Sequence, residues 1–287
     1  MVTHITTYPS LLAMVDTVDK SRVNGHWIEY QSNASLSEIW DPQTGTLEEA
    51  VTRARTLEGL EESIARMTAL SETLSTTSAQ PESLKRVRTR GRSGVSVNVH
   101  AVNRGDMAHA WKRMVRRRTA GGDDIILVVP ATWSWRIPSS QVEWSLIASA
   151  AYAQSLARAG YRVSLYASHQ ALQCFHNGDN NITIVALQSA GTVAHTLELA
   201  IVAHPSFARR LHFRLPEIIS RPYQGMVENY GIPMDAIRLR QELDPWLHEQ
   251  GLSPEALVLG ATQDDNILNE ARARAWIAQQ GHTHALP

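Results

Sequence analysis

The residues best equipped to do chemistry here are basic. Lys85, Arg86, Arg88, Arg90, Arg92, Arg104, Lys112, Arg113, Arg116, Arg117 and Arg118 fall in one segment that contains a single acid, Asp106. The segment carries +10 in a chain of net charge −1, so −11 lies elsewhere. Guanidinium and ammonium groups at this density suit phosphate contact, which gives sequence-independent nucleic-acid affinity that falls steeply with salt. The candidate contacts are Arg86, Arg88, Arg90 and Arg92 on one side and Lys112, Arg113, Arg116, Arg117 and Arg118 on the other. The same cations would equally meet the acidic remainder of the chain or an acidic partner. Basic residues at a helix C-terminus are also favoured by the macrodipole alone. No zinc finger, RNP aromatic pattern or GxxG clamp accompanies them, so no base-reading chemistry is expected.

Catalytic chemistry has weaker footing. The chain has twelve histidines and one cysteine, Cys174. His169 and His176 flank Cys174, but a Cys/His metal site needs at least one more ligand at credible spacing. His282 and His284 lie at the end of the chain. There is no His-Glu-x-x-His, no nucleophile elbow and no phosphate-binding glycine loop. Gly121-Gly122 precedes a strand pattern, the wrong side for a dinucleotide loop. We therefore expect no catalytic residue, cofactor or metal. Trp133, Trp135 and Trp144 cluster. They suit core packing, or an aromatic surface that meets a protein partner or stacks on unpaired bases.

The elements that position these residues read as follows. A single cysteine excludes a disulfide framework within the chain and fits a reducing compartment. With no basic-then-apolar leader and no run of about 20 apolar residues, the expectation is a cytoplasmic protein that does not enter membranes. Residues 1–24 give no clear pattern. Trp27 to Tyr30 reads as a strand, and Ser35 to Glu38 has capping-box spacing. Leu47, Val51, Ala54, Leu57, Leu60, Ile64, Met67, Leu70 and Leu74 recur every three or four residues, which predicts one helical face. Residues 75–82 read as a linker. Val95, Val97 and Val99 alternate with polar residues as in a strand. Asp106 is placed to cap a helix carrying Met107, Ala110, Trp111 and Met114.

From residue 125 onward strands and helices alternate. Ile125 to Val129 is a continuous apolar run, the pattern of a strand covered on both faces. A helix is predicted over 140–159 with Gly160 behind it, then a strand over 161–167. Strands over 182–187 and 257–260 and helices over 192–202 and 267–280 continue the pattern. A short helix fits 171–175 and a turn 177–181. Residues 205–221 resist assignment, and 222–244 read as irregular with helical fragments. The expected architecture is an α/β, Rossmann-like domain with a mostly parallel sheet and helices on both faces over 123–287. A mainly helical extension over 1–82 and the basic segment over 83–122 precede it.

The loop Pro130-Ala131-Thr132-Trp133-Ser134 resembles the metal-binding loop of the von Willebrand factor A family, which begins with aspartate and continues with two serine positions. Thr132 and Ser134 fit the hydroxyls, and Pro130 stands where the aspartate should be. Gly191-Thr192 is similar to a second family element that supplies another hydroxyl, and Asp264 or Asp265 follows the last strand. The resemblance implies a von Willebrand A-type fold with a degenerate metal site, because a divalent ion needs carboxylate as well as neutral oxygens. A looser likeness extends to uncharacterised von Willebrand A-like proteins of phages and bacteria, here through Val102-Asn103-Arg104-Gly105-Asp106. The expected function is a non-enzymatic interaction or assembly factor. Its partner surface is Pro130, Thr132, Trp133, Ser134, Trp135, Thr192, Asp264 and Asp265. The alternative is an accessory factor for phage transcription or replication that binds nucleic acid, with single-stranded DNA one candidate. The partner's identity and the oligomeric state stay open.

Overall fold

The computed structural model describes residues 2–22, 45–56, 58–75, 85–91, 96–97, 102, 104, 111–117, 124–134, 136–158, 161–172, 179–189, 196–212, 214–215, 218 and 233–283. In chain order they form β1 (Thr3–Tyr8), α1 (Leu11–Lys20), α2 (Leu47–Thr56), α3 (Glu61–Ser75), β2 (Lys85–Gly91), β3 (Ser96–Val97), β4 (Trp111–Arg117) and β5 (Asp124–Pro130). Then come α4 (Ser139–Arg158), β6 (Arg162–Ala171), β7 (Asn180–Gln188), α5 (Thr196–Ala203), a π-helical turn (Phe207–His212), α6 (Ala236–Glu249), β8 (Leu257–Leu259) and α7 (Glu270–Thr283). The main sheet runs β1-β7-β6-β5-β8, and β2-β4-β3 form a second, three-stranded sheet. In the main sheet β1–β7, β5–β6 and β5–β8 pair in parallel, and only β6–β7 is antiparallel. This is an α/β fold with a mixed, mostly parallel sheet.

The apolar run of β5 places it at the centre. Ile125, Leu127 and Val129 enter one core, and Ile126 and Val128 the other, as alternation on a pleated strand requires. The larger core lies under α1 to α5 and α7. The smaller is closed by α6 through Leu239, Leu243, Trp246 and Leu247, with Trp246 edge-on to Tyr166 at 5.1 Å between centroids. Helix α4 is buried over 14 of its 20 residues. Its small residues, Ser145, Ala148, Ser149, Ala150, Ala151 and Ala153, let the sheet, α3, α5 and α7 approach from several sides.

β1 pairs in the main sheet, and residues of α1 to α3 enter its larger core. β1 forms the edge strand beside β7 and is fixed there by polar groups from the stretch expected to be a turn. Asp179 accepts from Val2 N at 2.6 Å and lies 3.2 Å from His4 Nε2. Asn181 Nδ2 reaches His4 O and Thr6 Oγ1. Leu11, Met14, Val15 and Val18 of α1 join the larger core together with residues of α2 and α3. The single helix expected over 47–74 is two helices, separated around Gly59, whose φ of +71° is a left-handed conformation that suits glycine.

Other expectations change as well. The helix that was to carry Trp111 and Met114 is the strand β4, so the macrodipole does not explain Arg116 and Arg117. Strand β6 continues to Ala171 and takes in the start of the expected short helix. Part of the stretch read as irregular is the regular helix α6, capped by Asp235, which accepts from Arg238 N at 2.8 Å. Trp27 to Tyr30, Ser35 to Glu38, Asp106, Met107, Ala110, Val95, Val99, Gly160, Cys174 and His176 lie outside the described residues. Among the described residues no helix is long and apolar enough to cross a membrane.

Candidate functional site

Counted from β5, the strands lie in the order third, second, first, fourth: β7-β6-β5-β8. Chain connections therefore leave β5 in one direction toward β6 and arrive at β8 on its other side. In open α/β sheets a ligand crevice forms at such a switch point, outside the carboxyl ends of the strands. The loops found there are 131–138, after β5, and 260–266, after β8.

The second loop is held against α4. Gly260 N donates to Val128 O at 2.8 Å, and Ala261 N donates to the Ser149 hydroxyl at 2.8 Å. That hydroxyl in turn donates to Ser145 O at 2.9 Å. A Cβ on Gly260 would lie 2.8 Å from Ser149 Oγ and 3.2 Å from Val129 Cα, so glycine permits this approach. Gln141 Nε2 donates to Gln263 O at 3.2 Å. Asp265 closes its own turn, accepting from Thr262 N at 2.6 Å and from Thr262 Oγ1 at 2.9 Å, and Asn266 follows at φ +50°. Asp264 and Asp265 are exposed.

The first loop is pinned from two directions. Thr132 is 2 % exposed; its Oγ1 accepts from Gln170 N at 2.6 Å and approaches Gln170 O at 3.4 Å. Gln170 Oε1 also accepts from Met234 N at 2.6 Å, so the end of β6 ties the loop to the approach to α6. From the π-helical turn, Arg209 Nη2 donates to Ser134 O at 3.1 Å and Ile137 O at 2.7 Å, and Nη1 to Trp133 O at 3.5 Å. Burial lowers the Arg209 guanidinium to about 10, still charged at neutral pH. A fixed cation thus sits on the carbonyls of the switch-point loop.

These contacts decide whether the loop suits the divalent ion that the resemblance implies. Pro130 supplies no carboxylate, the Thr132 hydroxyl is engaged with Gln170, and the Asp265 carboxylate is engaged with Thr262. The Arg209 guanidinium adds a positive charge on the first loop. A hard dication needs charged oxygens in near-ideal geometry, and this donor set does not fit one. Among the described residues no group of three or more His, Cys, Asp or Glu is placed to hold a metal.

The residues expected to form the partner surface are thus divided. Pro130, Thr132 and Ser134 lie together at the end of β5, next to the loop with Asp264 and Asp265. Thr132 and Trp133, however, are interior; Trp133 is 3 % exposed and packs in the larger core, so neither side chain offers a surface. Ser134 is half-buried, with Arg136 N 3.4 Å from its hydroxyl. Trp144 packs against the larger core beneath the Arg66 guanidinium, 5.1 Å from the ring centroid. Trp135 and Thr192 lie outside the described residues. Sequence reasoning missed Arg209, Ser149 and Gln170. Adjacent arginines at 209 and 210, between Phe207-Ala208 and Leu211, were the available signal, since buried arginine is rare without partners.

A buried histidine pair lies deeper. His169, on β6, and His212, ending the π-helical turn, meet edge-to-face at 5.8 Å, and Phe207 lies 4.2 Å from His212. Burial pushes His169 down to about 3. Burial, then the neighbouring His169, hold His212 well below the usual range.

The basic residues are gathered by the second sheet. β2 and β4 pair antiparallel, with Arg86 opposite Arg116, Arg88 opposite Met114, Thr89 opposite Arg113 and Arg90 opposite Lys112. Lys85 stands opposite Arg117. Arg92 and Arg118 lie outside the described residues.

A family model described as a domain of unknown function (DUF7192) matches residues 2–277. No curated protein and no solved structure matches the chain.

Proposed function

The chain belongs to the DUF7192 family, and from that premise we propose that it is a non-enzymatic interaction or assembly factor on a von Willebrand factor A-like domain with a degenerate metal loop. The observation that carries this reading is the Arg209 guanidinium bonded to the carbonyls of Trp133, Ser134 and Ile137. It gives the loop a shape and a positive charge of its own, so a partner can be met without a bridging ion. The strand order supports the reading, because it sets both loops at one switch point. The surface such a partner would meet is the rim of those loops. It consists of Arg136, Pro138, Asp264 and Asp265, with Leu268 beside them at 47 % exposure. An exposed apolar residue near polar ones suits an interface.

Site-specific photo-crosslinking tests this. A photoreactive residue at Pro138 or Asp264 should capture one discrete protein in lysate of the native host. The same group at Glu255, exposed just ahead of β8 at the opposite end of the sheet, should not. Capture at Glu255 alone, or none at any position, would count against the proposal.

A further inference from the structure

The register of the second sheet divides its cations unequally between its two faces. In an antiparallel pair, residues opposite one another and alternate residues along each strand share a face. The even-numbered positions of β2 and β4 are Arg86, Arg88, Arg90, Lys112, Met114 and Arg116. Five of these six are cations. The odd-numbered positions are Lys85, Val87, Thr89, Gly91, Trp111, Arg113, Val115 and Arg117, of which three are cations, and β3 adds Val97 opposite Trp111. Five of the eight cations of these two strands thus share one face, and three the other. Like charges oppose one another twice on the even-numbered face, Arg86 across from Arg116 and Arg90 across from Lys112, and once on the other, Lys85 across from Arg117. Like charges in directly opposite positions destabilise a sheet. No acid occurs in either strand to offset them.

We propose that this face is a binding site for the phosphate backbone of duplex DNA. The five cations occupy a strip roughly 14 Å long and 5 Å wide, taking about 3.4 Å per residue and 4.8 Å between strands. The polyanion that matches such a strip is a duplex, which carries one charge per about 1.7 Å of axis. The B-form major groove admits a two-stranded β-ribbon, whereas the deep, narrow A-form groove of RNA does not. Single strands are bound mainly by stacking on aromatic residues. None of the even-numbered positions is aromatic, Trp111 is on the odd set, and Trp133 is in the core. The register thus favours duplex over single-stranded DNA, and the binding is independent of base sequence. The inference does not depend on the switch-point loops.

The test is fluorescence anisotropy with the full chain across a salt series. The probes are a mixed-sequence DNA duplex, the same sequence as single-stranded DNA, an RNA duplex and polyglutamate. Five phosphate contacts predict a plot of log K against log salt with slope about −4.5 for the DNA duplex, which should bind tightest. Arg88→Gln and Arg90→Gln should each flatten the slope by about 1, and Arg113→Gln, on the odd set, should leave it unchanged. Met114→Arg adds a sixth cation to the face and should steepen the slope by about 1, so the outcome does not depend on a loss of folding. Equal or tighter binding to single strands, RNA or polyglutamate would overturn the proposal, as would no binding at low salt or equal effects of Arg88→Gln and Arg113→Gln.

Discussion

Arg209 shows how much one side chain can decide. Its head group is surrounded by carbonyls from a loop more than seventy residues away in sequence. A planar fork of donors fits several carbonyls at once, which an ammonium cannot. Replacing it removes those bonds and takes this donor from the Trp133 and Ile137 carbonyls, while Ser134 O keeps Ile137 N, so Arg209→Gln should lower unfolding stability by about 3 kcal/mol in urea titrations. Arg209→Lys should recover only part of the loss. A substitution without measurable cost would mean that the loop does not depend on this cation. The buried histidines give a second expectation. The unfolded chain takes up protons on His169 and His212 near pH 6.5, whereas folded His169 resists until about 3 and folded His212 also stays neutral well below 6.5. Their contribution is therefore complete above pH 6.5 and is lost as pH falls toward 3, at about 1.4 kcal/mol per pH unit for each group. In melting curves between pH 7 and 5, His212→Phe should lose less stability than the parent. A parallel decline in both would contradict this.

Among elements, β5, α4 and β6 were legible because their signals are local. β5 carries an uninterrupted apolar run, Ile125 to Val129, in which all but Leu127 are β-branched, and α4 is a long segment rich in alanine and serine. β1 was not legible, because its partner β7 lies about 175 residues away and its own residues, Thr-His-Ile-Thr-Thr-Tyr, do not alternate apolar with polar. β4 was misread because Met107, Ala110, Trp111 and Met114 recur at helical spacing, while the strand's alternation of Trp111, Arg113 and Val115 reads less clearly. The candidate site was half legible. Its loops follow apolar strands and were found; its supports were not. Ser149, Gln170 and Arg209 act on backbone groups of distant segments, and such contacts leave no motif at either end.

Across the whole molecule the two candidate surfaces differ in physical origin. The switch-point rim follows from topology: any sheet ordered this way brings the loops after β5 and β8 together. The basic ribbon follows from composition and register, and it lies in a segment of +10 in a chain whose remainder carries −11. An assembly factor with both surfaces would bring a protein partner to duplex DNA, and each surface can be disabled while the other is kept.

The central claim is that the switch-point loop is complete without a metal ion. Thermal melting of the intact chain in chelator, then with magnesium or manganese in excess, tests it most directly. The midpoint should not move. An ion held by the folded state at a hundred times its dissociation constant would add about 2.7 kcal/mol, so a clear upward shift abolished by Ser134→Ala would contradict the account.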